Sequence, residues 1–222
     1  MLIQCTAALQ AKIKKHVEIT DLEAIQAQNE NAGSINDFFA WHANIHPFDQ
    51  NHSQYTDANK IPGFKAIRNS VLLTNNVSHA PAVIIAARAA TYKGFVNEVK
   101  KAVRTTLLVY GATEEFVERY LAQPVIFTKS GNRKQLGLHK ELAQSLQWAA
   151  ADYVDECHGE IEPLPAVMAN HMKDFLLGAP NYHMPGEATE KELKALGGWK
   201  DGADEWSMRL ARKRAKSAGQ DG

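Results

Sequence analysis

Cysteine is scarce: the 222 residues contain two, Cys5 and Cys157. Two distant thiols cannot frame a disulfide scaffold, and reduced cysteines in a cytoplasmic protein are the expectation. Long apolar runs are missing as well; no stretch approaches the roughly 20 apolar residues that span a bilayer. A secretory leader puts its cations before the apolar run, whereas Lys12, Lys14 and Lys15 follow it. No membrane partner is therefore expected. Net charge is zero, with 25 Lys+Arg against 25 Asp+Glu, which argues against a uniformly basic nucleic-acid binder. Signatures of chemistry are absent too. There is no Gly-x-Ser-x-Gly, Walker loop, zinc-ribbon cysteine pair or paired-carboxylate pattern. No internal repeat is evident, and neither a cofactor nor a metal is expected.

What is present is an ordinary globular composition, 45% hydrophobic and 23% charged, which excludes collagen and a wholly disordered chain. The neutral total hides segregation. Residues 1–150 hold 16 basic and 12 acidic groups, residues 151–205 hold 4 and 12, and residues 206–222 hold 5 and 1. An acidic segment is thus followed by a basic tail.

The apolar, partly β-branched start, Met1-Leu2-Ile3-Gln4-Cys5-Thr6, predicts a strand, after which Thr6 can cap a helix. Residues 20–36 read as a partly helical connection. Residues 38–46 fit a strand, with Phe39, Trp41, Ala43 and Ile45 on one face and His42, Asn44 and His46 on the other. The polar stretch 47–66 reads as an inserted loop. Residues 70–74 and 82–86 form a hairpin signal, and their continuous apolar runs predict strands covered on both faces. Helices are expected over 92–110, with Gly111 as the stop, and over 113–121, with Thr113 as the cap. A strand at 125–128, a turn at 130–132 and a long helix over 138–157 follow. From 159 onward Pro and Gly punctuate short helical pieces, the best at 167–177. The fold class expected is α+β: a mixed, mainly antiparallel sheet of about five strands flanked by helices. The domain reading is a core over 1–158 and a helical or irregular appendage over 159–222 ending in the basic tail.

Four pieces, in order, carry a resemblance: Met1-Leu2-Ile3-Gln4-Cys5-Thr6, Trp41-His42-Ala43-Asn44, the hairpin with Thr74-Asn75-Asn76, and Phe127-Thr128-Lys129-Ser130-Gly131-Asn132-Arg133-Lys134-Gln135-Leu136-Gly137. Over roughly residues 1–150 the chain resembles an uncharacterised bacterial family known only as a domain of unknown function. The resemblance implies a compact α+β domain with an extended Trp-x-Ala-Asn segment, and no activity, cofactor or catalytic residue. In the family pattern that strand leads almost directly into the next, with basic residues between. Here 47–66 intervene, and only Lys65 and Arg68 echo the basic feature.

Four groups of residues could carry chemistry. Asn132 and Arg133, flanked by Lys129, Ser130 and Lys134, sit where a helix begins; backbone N–H groups and a guanidinium there suit an anion. In the tail, Arg209, Arg212, Lys213 and Arg214 suit phosphate backbones, and Trp206 could stack on a base. His42 and His46 share spacing with helical metal pairs, but on a strand they lie about 13 Å apart, too far to share one zinc. Cys5, in a core strand, reads as an inert buried thiol. The leading functional expectation is a non-enzymatic binding or accessory protein contacting nucleic acid or another phosphate-bearing partner. The first alternative is a hydrolase or nuclease with a site at His42, Asn44 and His46. The second is a protein-interaction module using the acidic segment 151–205. If the family-like pieces build one site, Trp41, His42, Asn44, Asn132 and Arg133 should converge.

Overall fold

The computed structural model describes residues 1–21, 36–46, 69–130, 133–156, 164–177 and 183–200, without the side chains of 133, 134, 148 and 150–156. The loop expected at 47–66, most of the 20–36 connection, Cys157 and the basic tail lie outside the described residues. The elements run β1 (Leu2–Cys5), α1 (Ala7–Ile13), β2 (Ile19–Thr20), a 3-10 turn (Asp37–Phe39), β3 (Ala40–His46), β4 (Ser70–Asn75) and β5 (Pro81–Ile84). Then come α2 (Ala89–Lys93), α3 (Phe95–Val109), α4 (Glu114–Ala122), β6 (Ile126–Lys129), α5 (Arg133–Glu156), α6 (Leu164–His171) and α7 (Pro185–Ala195).

The fold is α+β, with one mixed sheet of six strands in the order β2-β6-β1-β3-β4-β5. The strands β2, β6, β1 and β3 are mutually parallel, whereas β3, β4 and β5 form an antiparallel meander. Parallel neighbours need crossovers, and α1 and the helices between β5 and β6 supply chain for them. The hairpin is present, but only β4 is internal; β5 is an edge strand, contrary to the central placement its apolar run implied. Its side chains are buried all the same, because α3 and α6 flank it.

Local signals account for most boundaries. Gly94 splits the expected 92–110 helix into α2 and α3. Gly111, at φ 94°, ends α3 in the left-handed region that favours glycine. Thr113 accepts from Phe116 N–H at 3.2 Å and caps α4. Thr6 precedes α1 but sends its hydroxyl elsewhere, to Asn44 Oδ1 at 2.7 Å. Asn75 organises the β4–β5 turn by accepting from the N–H groups of Val77 and Ser78. Helix α5 begins at Arg133, five residues earlier than its apolar periodicity suggests.

The sheet buries both faces. Against the first, Ile3, Trp41, Leu73 and Phe127 pack on α1, α3 and α4. Trp41 is fully buried and donates to Tyr120 Oη at 2.8 Å; Tyr120 in turn donates to Phe38 C=O at 2.7 Å. Against the second face, Leu72 and Val83 pack on Leu142 and Leu146 of α5 and Leu164 and Met168 of α6. Among the described residues no helix is long and apolar enough to cross a membrane.

Candidate functional site

Side chains alternate along a strand, so ladder partners share a face. The registers Thr20↔Thr128, Gln4↔Thr128, Gln4↔His42 and His42↔Thr74 therefore align one polar residue from each of five adjacent strands in a single row. The row crosses the second face of the sheet, beside the apolar Leu72–Val83 cluster. Helix α5 lies over it and contributes His139, whose Nδ1 is 3.0 Å from Thr74 Oγ1 and whose ring centroid is 5.7 Å from that of His42.

A second polar tier flanks the row. Ser130, just after β6, hydrogen-bonds the ring of His42, and Asn44 accepts from Thr6. Asn76, in the hairpin turn, donates to Gln4 Oε1 at 2.8 Å, and its C=O accepts from Gln135 Nε2 at 3.1 Å. Groups from β1, β3, β6, the β4–β5 turn and α5 thus meet beneath the first turns of α5.

Burial sets the electrostatics. His42 is fully buried, and desolvation pushes its pKa below the ordinary value. His139 is 2% exposed; burial first, then the charges of His42 and His46, push its pKa down to about 3. Both imidazoles are neutral at pH 7, each with one donor and one acceptor nitrogen. His139 Nε2 and Thr128 Oγ1 are buried and have no hydrogen-bond partner. Such orphans are rare in folded proteins and mark a place for a water, an ion or a ligand atom.

Ser130 Oγ is 3.2 Å from His42 Nδ1 and 3.1 Å from Nε2. An oxygen in line with either nitrogen's lone pair would lie far from the other nitrogen, so near-equal distances exclude that alignment. Neither bond lies along a nitrogen lone pair, so the pair lacks the alignment of a nucleophile and its base.

The residues singled out from the sequence are distributed as follows. His42, Asn44 and His46 lie on one face of β3, and the uninterrupted strand keeps the two imidazoles apart. Among the described residues no group of three or more His, Cys, Asp or Glu could hold a metal. Trp41 does not join His42; alternation turns it into the opposite core. Lys129 pairs with Cys5 and so belongs to that opposite face, although its own side chain is exposed at the strand end. Arg133 and Lys134 open α5, with their side chains outside the described set. Asn132, Arg209, Arg212, Lys213 and Arg214 lie outside the described residues. Cys5 is fully buried, and desolvation raises its thiol to about 12, the state of an inert core cysteine.

Sequence reading missed Gln4, Thr74, Thr128 and His139. A signal existed: Gln4, Thr74 and Thr128 each follow directly on an apolar pair or run within β1, β4 and β6. Only the register shows that these positions face the same way.

A model of the family described as a domain of unknown function, DUF6933, matches residues 65–188. That is more than half of the chain, which therefore belongs to the family. The match contains the hairpin and the 127–137 segment and runs on through α6; β1 and β3 precede it. No curated protein and no solved structure matches the chain.

Proposed function

We propose that this member of the family is a non-enzymatic binding protein that takes a phosphate-bearing partner at the polar row beneath α5. The observation that carries the reading is the composition of the row. Among the described residues hydroxyl, amide and neutral imidazole groups converge there, and Thr128 Oγ1, His139 Nε2 and Asn76 Oδ1 are buried without partners. Donors of this kind suit an anion's oxygens, and the N-terminal turn of α5, opening with Arg133 and Lys134, adds a positive end. A nucleic-acid partner would use the same chemistry, with Arg209, Arg212, Lys213 and Arg214 supplying further phosphate contacts. A cytoplasmic setting accords with the unpaired Cys5.

The hydrolase alternative has one observation in its favour, the contact of Ser130 with a neutral His42. The near-equal distances of Ser130 Oγ to both ring nitrogens, which put it out of line with either lone pair, weigh against it. The third reading, an acidic interaction segment at 151–205, has no comparable observation behind it.

The test is titration of the full chain with inorganic phosphate and, separately, with single-stranded oligothymidylate, followed by amide chemical shifts. Shifts at Thr6, Thr128 and Ser130, with at least tenfold weaker binding in His139→Leu, are expected. Oligothymidylate binding that falls steeply with salt and with removal of residues 206–222 would identify nucleic acid as the source of the phosphate. The reading is sunk if neither probe shifts these amides.

A further inference from the structure

The turn between β4 and β5 carries an imidazole that the polar row does not use. Asn75 Oδ1 accepts from the N–H groups of Val77 and Ser78 and from Ser78 Oγ, and His79 N–H donates to Asn75 C=O at 3.1 Å. This network sets the backbone of His79 at φ 59°, a left-handed conformation more often taken by Gly or Asn. The ladder resumes one residue later, where Ala80 C=O accepts from Asn75 N–H at 3.0 Å. Although it lies in a turn, His79 is thereby held in one backbone state.

Facing it is His183, 104 residues later and just ahead of α7. Its N–H and C=O both pair with Leu177 at 3.0 Å, and Leu177 is itself fully buried. Gly186 N–H donates to Lys173 C=O at 2.8 Å and ties the start of α7 to the stretch after α6. Two imidazoles on fixed backbones therefore meet. His79 Nδ1 contacts His183 Nε2, and the ring centroids lie 4.5 Å apart with the planes at 52°. Both residues are half-buried, so solvent and ions reach this pair, unlike the buried His42 and His139.

We propose that His79 and His183 form an exchangeable site for a divalent transition-metal ion of the zinc class. Imidazole nitrogen is a preferred ligand of such ions, whereas Mg²⁺ and Ca²⁺ take oxygen. Zn–N bonds of about 2.0–2.1 Å at tetrahedral angles put two ligand nitrogens about 3.3 Å apart, so the rings open slightly, as half-exposed side chains can. In the metal-free chain one ring donates to the other. On binding, the donor ring shifts its proton to its far nitrogen, and both facing nitrogens become ligands with no net loss of a proton. Two protein ligands are fewer than the three of a catalytic zinc site or the four of a structural one. Water fills the other positions, and the ion exchanges with the medium. When bound, it clips the β4–β5 turn to the segment between α6 and α7, so the C-terminal helices are held more firmly wherever the metal is available. No group of the polar row is a ligand, and the site is independent of the phosphate reading.

The experiment titrates the full chain, stripped with a chelator and free of phosphate, with zinc chloride. Calorimetry and imidazole nitrogen resonances are read together. The tightest event is expected to take one zinc per chain and to move His79 Nδ1 and His183 Nε2 while His42 and His139 stay in place. His79→Asn, which keeps a residue suited to positive φ, and His183→Gln should each weaken that event at least tenfold. His16→Gln, at an exposed position, should leave it unchanged. Magnesium and calcium should move neither ring. With free zinc at about ten times its dissociation constant, the thermal midpoint of the parent should rise by about 3–6 °C, and the rise should vanish in both variants. The proposal is overturned if zinc binds His79→Asn or His183→Gln as it binds the parent. It is equally overturned if the tightest event leaves these two ring nitrogens unmoved.

Discussion

The two faces of the sheet are made by alternate residues of the same strands, yet they are built differently. Along β1, Ile3 and Cys5 turn to one side and Gln4 to the other; along β3, Trp41 and Ala43 oppose His42 and Asn44. On the first face Trp41 donates to Tyr120 and Tyr120 to Phe38 C=O, which also accepts from Asn75 Nδ2, so these buried donors are all used. On the second face polar groups are equally buried but incompletely matched, with Thr128 and His139 left over. A face built for stability satisfies its polar atoms, because each unsatisfied one costs about 1–3 kcal/mol. Orphans gathered within one polar row, as Thr128 and His139 are, separate a receptive surface from a packing one.

Substitutions should widen or collapse that difference. The largest effect belongs to the satisfied face. Trp41→Ala removes the largest fully buried side chain among the described residues and the donor that Tyr120 Oη accepts from; a loss of about 3–5 kcal/mol is expected, read as a lower urea midpoint at unchanged m-value. Acid comes next, and it acts on the other face. The pKa of His139 is 6.5 in the unfolded chain and about 3 in the fold. Above pH 6.5 the group is neutral in both states and contributes nothing to the pH dependence. Between 6.5 and about 3 only the unfolded chain takes the proton, so stability falls as pH falls, by up to roughly 1.4 kcal/mol per unit. His139→Leu should flatten that part of the stability profile, and an unchanged slope would refute the assignment. The smallest effect is Thr128→Val. Deleting an unpartnered buried hydroxyl should leave stability unchanged or raise it by up to ~1 kcal/mol. A loss above that, in thermal unfolding, would mean Thr128 has a structural partner and would erase the contrast between the faces.

Much of the fold is legible in the sequence because local rules decide it. Gly111 stops a helix, Thr113 starts one, and the alternation from Phe39 to His46 marks a strand with two unlike sides. Long-range choices are not local. Nothing in the apolar run 82–86 distinguishes an edge strand hidden by helices from a central one, since both bury their side chains. The polar row is invisible for the same reason. Gln4, Thr74 and Thr128 look like isolated interruptions until parallel and antiparallel registers bring them level. His139 looks like one more helix residue until α5 is laid across the sheet. Trp41 shows the converse: it neighbours His42 in sequence and sits opposite it in space.

The pairing of β1 has a consequence for the order in which the molecule is assembled. Leu2 lies beside Ile126, and Met1 donates its amino group to Pro124 C=O at 2.7 Å. During synthesis β1 therefore leaves the ribosome long before one of its two neighbours exists. Contacts this distant along a chain slow folding and prolong the exposure of apolar strands. Until β6 emerges, Ile3 and Cys5 can be sheltered on one side by β3 alone, so the nascent chain offers chaperones a binding stretch that the finished protein hides.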